Sequence, residues 1–120
     1  MHRTVKPILA FLLLPLFAIV LRAGQAQEPQ RFTITAKRYS YQPGEITVQK
    51  GRPVILELSS EDVTHGLKCK ELGIDVTVHK GETVEVDFTP QETGRFVARC
   101  SHFCGVGHGS MTLAVNVVDK

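Results

Sequence analysis

The chain has 120 residues, is 42% hydrophobic, and carries fourteen Lys/Arg against twelve Asp/Glu, a formal charge of +2. That length bounds the answer to one small domain with at most a short appendage. A charge so close to balance removes any reason to expect nucleic acid as a partner.

Residues 1–26 read as a secretion signal peptide and residues 27–120 as the mature domain. Arg3 and Lys6 supply a positive start, Ile8 to Leu21 form an apolar stretch broken only by Pro15, and Gly24-Gln25-Ala26 offers small residues for cleavage. Fourteen residues are short for a membrane span, which needs about 20, so an uncleaved N-terminal anchor is the rival reading. No cysteine directly follows the apolar run to carry a lipid. The leader holds Arg3, Lys6 and Arg22 but no acid, so the mature chain has eleven basic against twelve acidic residues, a formal charge of −1. Export predicts a periplasmic or secreted protein in a compartment where disulfides are permitted. No stable membrane span is expected once the signal is cleaved. Three cysteines leave at least one thiol for something other than a disulfide.

From Arg31 onward the pattern is of short strands punctuated by turns, without helical periodicity. Phe32 and Ile34, then Ile46 and Val48, then Val54, Leu56 and Leu58 alternate with polar neighbours. Ile74/Val76/Val78, Val84/Val86/Phe88 and Leu113/Val115/Val117 repeat the same period of two. Pro43-Gly44, Lys50 to Pro53, His79 to Glu82 and Pro90 to Gly94 are the turn signals between them. About seven strands at this spacing predict an all-β chain folded as an antiparallel sandwich. Between Arg95 and Cys100 the charged residues Arg95 and Arg99 need water, so Phe96, Ala98 and Cys100 face inward.

Cys100-Ser-His-Phe-Cys104-Gly-Val-Gly-His108-Gly-Ser-Met111 concentrates soft metal donors in a loop with three glycines. Thiolate, imidazole and thioether together favour copper over hard cations. A Cys100–Cys104 disulfide is the bland alternative, and it leaves His108 and Met111 unexplained. Upstream, His65 follows the strand ending near Leu58 and adds a second imidazole. One blue-type copper needs one Cys, two His and a weak axial Met. The second thiol is surplus to that plan, whereas two thiolates bridging two coppers would use every donor.

Asp62-Val-Thr-His65, Leu72-Gly-Ile74, Phe88-Thr-Pro90 and Cys-Ser-x-x-Cys-Gly-x-Gly-His-x-x-Met, in that order and spacing, resemble the dinuclear copper (CuA) cupredoxin domain. That domain occurs in cytochrome c oxidase subunit II and nitrous oxide reductase. The resemblance runs from about Asp62 to Val118 and implies a cupredoxin-like Greek-key β-sandwich. It implies that Cys100 and Cys104 bridge two copper ions, that His65 and His108 each bind one, and that Met111 and the backbone carbonyl of His102 are weak ligands. Where the family has membrane helices or a catalytic domain, only the leader is expected beside this domain, which favours a free carrier; Trp is absent. The aromatic through which electrons enter an oxidase would then be Phe103 or Tyr41.

The function this implies is electron transfer, with a redox protein such as a cytochrome c or a terminal oxidase or reductase as partner. No Ser/His/Asp or paired-carboxylate arrangement suggests catalysis. A copper-binding metallochaperone using Cys100, Cys104 and Met111, and a mononuclear blue-copper carrier, are the alternatives. Among the remaining polar residues, Cys69 reads as a buried small hydrophobe or as an auxiliary copper-loading thiol with a pKa lowered by Lys68 and Lys70. His79 reads as a solvated turn residue, the His102 side chain as solvent-facing or as an extra metal contact, and Asp62 as a strand-end residue or an orienter of His65.

Overall fold

Strand β4 (Val54–Ser60) carries the alternation in its purest form, burying Val54, Leu56, Leu58 and Ser60 while Ile55, Glu57 and Ser59 stay half-exposed. Its neighbours show the same parity, so successive side chains fall on opposite faces and one face of each sheet is apolar. The computed structural model describes residues 27–119; the expected leader, residues 1–26, lies outside the described residues. Among the described residues the elements are β1 (Gln30–Lys37), β2 (Ser40–Gln42), β3 (Glu45–Gln49), β4, β5 (His65–Cys69), β6 (Ile74–Val78), β7 (Thr83–Phe88), β8 (Gly94–Arg99) and β9 (Thr112–Val118). Two 3₁₀ turns, Lys70–Leu72 and His108–Ser110, accompany the strands.

Among the described residues nine strands form two sheets, ordered β2-β1-β4-β7 and β3-β9-β8-β5-β6. Fully buried Ile34, Leu56 and Leu58 from the first sheet meet Leu67, Val78, Leu113 and Val115 from the second. Each such side chain contributes about 1.5–3 kcal/mol by leaving water. This is the cupredoxin-like sandwich expected, with two differences. β2 and β5 raise the strand count above seven. The sandwich is also not purely antiparallel, because β1 runs parallel to β4 and β3 parallel to β9. A period of two is common to both pairing senses, so alternation does not distinguish them. The chain changes sheets at Pro43-Gly44, between β2 and β3, which is what makes the parallel pairs possible.

The register defines two poles. β1 ends beside Ser60, and Glu61 N–H bonds the Ala36 carbonyl there at 3.0 Å. At the same pole β8 ends and β9 begins, Arg99 pairing with Thr112. Gln30, paired with Val54, and Val117, paired with Gly94, mark the other. β5 is joined to β8 by a single residue pair, Lys68 with Arg99. Among the described residues no helix is long and apolar enough to cross a membrane.

Candidate metal centre

The loop from Cys100 to Met111 connects β8 to β9, and its base is closed by a hydrogen bond from Cys100 N–H to the Met111 carbonyl at 3.1 Å. Inside, His108 N–H bonds the Gly105 carbonyl (3.2 Å) and Ser110 N–H the Gly107 carbonyl (3.1 Å), winding the chain so that Cys104, His108 and Met111 turn to the same point. Gly105 takes φ +138°, which an L side chain resists. As parity predicts, Ala98 and Cys100 are buried while Arg95, Val97 and Arg99 are exposed.

The structure brings all six expected donors together. Cys100 Sγ lies 3.6 Å from Cys104 Sγ and 3.1 Å from the His102 carbonyl oxygen. Cys104 Sγ lies 3.8 Å from His108 Nδ1 and 3.8 Å from Met111 Sδ. His65 enters from β5, its nitrogen and the two sulfurs all lying within 4.8 Å of one another. Cys100 and Cys104 are free thiols rather than a disulfide. Burial and the neighbouring Cys100 push the Cys104 thiol up to about 11, against an opposing pull from the Arg38 charge. A thiol so placed is a weak acid until a cation arrives to replace its proton.

His65 supplies the test of fit. Its ring is fully buried, and Nε2 lies 2.7 Å from Asp62 Oδ1. Burial opposes ionisation of Asp62. Hydrogen bonds from Arg38 N–H, His65 and Val63 N–H nevertheless hold its carboxyl down at about 2. A carboxylate only accepts, so Nε2 carries a proton, and in the neutral ring the lone pair is then on Nδ1. That Nδ1 is buried with no hydrogen-bond partner. A buried imidazole with one nitrogen unpartnered, lying within 4.8 Å of two thiol sulfurs and held by a carboxylate, fits a soft metal ion. Asp62 fills both roles open to it: it accepts from the Arg38 and Val63 main-chain N–H groups at the strand ends and from His65 Nε2.

Of the other residues singled out in the sequence, Cys69 is buried and donates to Glu71 Oε2 at 3.5 Å. Burial raises its thiol, and the Glu71 carboxylate adds to this, so the expectation of a lysine-lowered pKa is overturned. His79 is exposed and its Nδ1 meets Thr64 Oγ1 at 3.1 Å. The His102 ring is exposed, as its bland reading has it. Phe103 is 74% exposed with its ring centroid 5.7 Å from that of His108, whereas Tyr41 is only 2% exposed. Tyr41 donates instead to the Gly66 carbonyl, and burial together with Cys100 raises its hydroxyl pKa.

Sequence reasoning missed Arg38 and Tyr39. Arg38 Nε donates to the Cys104 carbonyl at 2.8 Å, and the Tyr39 ring lies against Gly105 and Gly107. Both residues sit in a turn more than sixty positions upstream, and no local pattern marks them.

The sequence matches the family described as cupredoxin-like domain over residues 9–113. It is 33% identical over 85 residues to cytochrome c oxidase subunit 2 of Thermus thermophilus, covering 69% of this chain and 63% of that protein. The chain therefore spans less than two thirds of that relative. The crystal structure of the periplasmic domain of subunit II of cytochrome oxidase (CoxB) of Bradyrhizobium japonicum shares the fold. The TM-score is 0.70 at 20% identity, over 78% of this chain and 88% of that one. The Cu(I)-bound metal binding domain of the Cu(I) exporting P-type ATPase CopA of Streptococcus pneumoniae D39 is 26% identical. Its TM-score is 0.59 over 73% of this chain and 84% of that domain.

Proposed function

The chain belongs to the cupredoxin-like family and is homologous to cytochrome c oxidase subunit II, and from that premise we propose that it is an exported electron-transfer protein with a dinuclear CuA-type copper site. The observation that carries this reading is the buried His65, whose Nδ1 has no partner and whose ring brings a nitrogen within 4.8 Å of the Cys100 and Cys104 sulfurs. Cys100 and Cys104 would bridge, His65 and His108 would each serve one ion, and Met111 and the His102 carbonyl would be weak ligands. When bound, copper supplies a one-electron change, spread in this arrangement over two ions.

The residues of the chain do the rest. Asp62 holds the His65 tautomer, and the closed loop base fixes Cys100 relative to Met111. Burial of Cys100, Cys104, Met111 and His65 keeps water out, so little has to reorganise around a change of charge. The half-buried His108 and the exposed Phe103 beside it are the edge at which a redox partner, such as a cytochrome c or a terminal oxidase or reductase, would meet the centre.

Electron paramagnetic resonance of the copper-loaded protein tests the reading. Hyperfine splitting from two equivalent copper nuclei is expected, and Cys100→Ser should abolish it. Survival of that signal in Cys100→Ser would overturn the bridging assignment. A second reading, a Cu(I)-holding protein, is favoured by the likeness to the CopA domain. It also gains from a cavity of about 360 Å³ that opens onto Cys69 and Cys100 between Lys68, Lys70 and Arg99. A silent, easily extracted Cu(I) would select it, and single-nucleus splitting would select a mononuclear blue-copper site.

A further inference from the structure

Arg38 occupies the turn between β1 and β2 and reaches each half of the donor set by a separate contact. Its main-chain N–H donates to Asp62 Oδ2 at 2.7 Å, while the other oxygen of that carboxylate accepts from His65 Nε2 at 2.7 Å. Its side-chain Nε donates to the Cys104 carbonyl at 2.8 Å, across 66 residues of sequence. The next residue, Tyr39, packs its ring over Gly105 and Gly107 of the same loop. One short turn thus touches the carboxylate that orients His65 and the backbone that presents Cys104. No other described side chain outside the loop donates to the Cys104 carbonyl.

We propose that Arg38 is a positioning residue of the metal centre, joining the His65 half to the Cys104 half before any metal arrives and setting the reduction potential of bound copper through its guanidinium charge. The first effect follows from geometry. A planar guanidinium donating to a carbonyl makes a charge-assisted hydrogen bond that restrains the loop where it leaves Cys104. The second follows from Coulomb's law. A cation beside the centre disfavours the more positive, oxidised state, so removing it lowers the reduction potential. Because the Arg38 side chain is exposed, added salt shrinks this difference. The potential effect rests on the copper reading above, whereas the restraint does not.

Two variants separate the effects: Arg38→Met removes charge and donor, while Arg38→Lys keeps the charge and loses the planar fork. In the metal-free protein, hydrogen exchange at the His108, Ser110 and Met111 amides should quicken about tenfold in Arg38→Met, the expected loss of one charge-assisted bond. Arg38→Lys should fall between it and the wild type. After copper loading, redox titration at low salt should give a lower potential for Arg38→Met and a near-wild-type value for Arg38→Lys. Unchanged loop exchange in both variants would overturn the positioning role. An unchanged potential in Arg38→Met, or an equal fall in Arg38→Lys, would overturn the charge effect. If the wild type takes up no copper, the copper reading fails and the charge effect falls with it. The exchange measurement still decides the restraint.

Discussion

Gly66 on β5 lies so close to His102 in the donor loop that a Cβ on the glycine would stand 2.8 Å from the His102 nitrogen, with Ser101 Oγ closer still. The atom in the way at His102 is backbone, which cannot rotate aside as a side chain can. Gly66→Ala should therefore destabilise the fold by about 1–3 kcal/mol, the cost of overpacking. Ser101→Ala in the same background should recover only part of it. Urea unfolding of the three variants checks this.

Gly107 offers a cleaner case of the same kind. Its φ of −85° suits any residue, and the obstacle to a Cβ is the Tyr39 ring, whose Cγ would be 2.5 Å away. Gly107→Ala should cost about 1–3 kcal/mol in the parent protein and markedly less after Tyr39→Ala. A double-mutant cycle should show strong coupling; strict additivity would mean that the ring does not restrain the loop.

Asp62→Asn removes the charge behind His65 while keeping the size of the side chain. Orienting partners of this type typically affect metal affinity by about 10–100-fold when mutated. Competition against a Cu(I) chelator should show a loss in that range, with the number of ions bound unchanged.

Cys69 should behave as a small core residue. Cys69→Ala is expected to leave the copper content unchanged. Cys69→Ser, which buries a hydroxyl in its place, should lose about 1–3 kcal/mol of stability. Metal analysis and thermal unfolding of the two variants decide it.

Glu45 ties the parallel β3–β9 pair, accepting from Arg95 and Asn116 at 2.6 Å each. Those bonds, Asn116 first and then Arg95, lower its carboxyl below the ordinary value. A lowered carboxylate stabilises the fold above its unfolded pKa and loses that contribution as pH falls through the folded one. Glu45→Gln should therefore melt slightly below the wild type at neutral pH, and the gap should close on acidification below about pH 4.

What the sequence reveals and what it hides follow from the range of each interaction. β4 and β9 are legible because alternation is local: Val54, Leu56 and Leu58 need only their own neighbours to declare a buried face. β5 is not, because His65, Gly66 and Leu67 are buried in succession. The donor loop covers the face that alternation would leave to water. β2 has three residues, too few to show a period. The clustering of Cys100, Cys104, His108 and Met111 is legible because they are packed into one short segment, and the arrival of His65 beside them because its motif is distinctive. Arg38 and Tyr39 act across dozens of residues from an ordinary turn, and only the folded chain brings them to Cys104 and Gly107.

The parallel pairing of β1 with β4 has a consequence for anything attached to the protein. β1 leads from Gln30 to the pole where the donors sit, and β9 leads away from it. Both ends of the described chain, Gln27 and Asp119, therefore emerge at the opposite pole. An eight-residue strand puts them about 25 Å from the donors. A tether, tag or fused domain at either end would hang behind the molecule. The face bearing Phe103 and His108 would stay open to whatever approaches it.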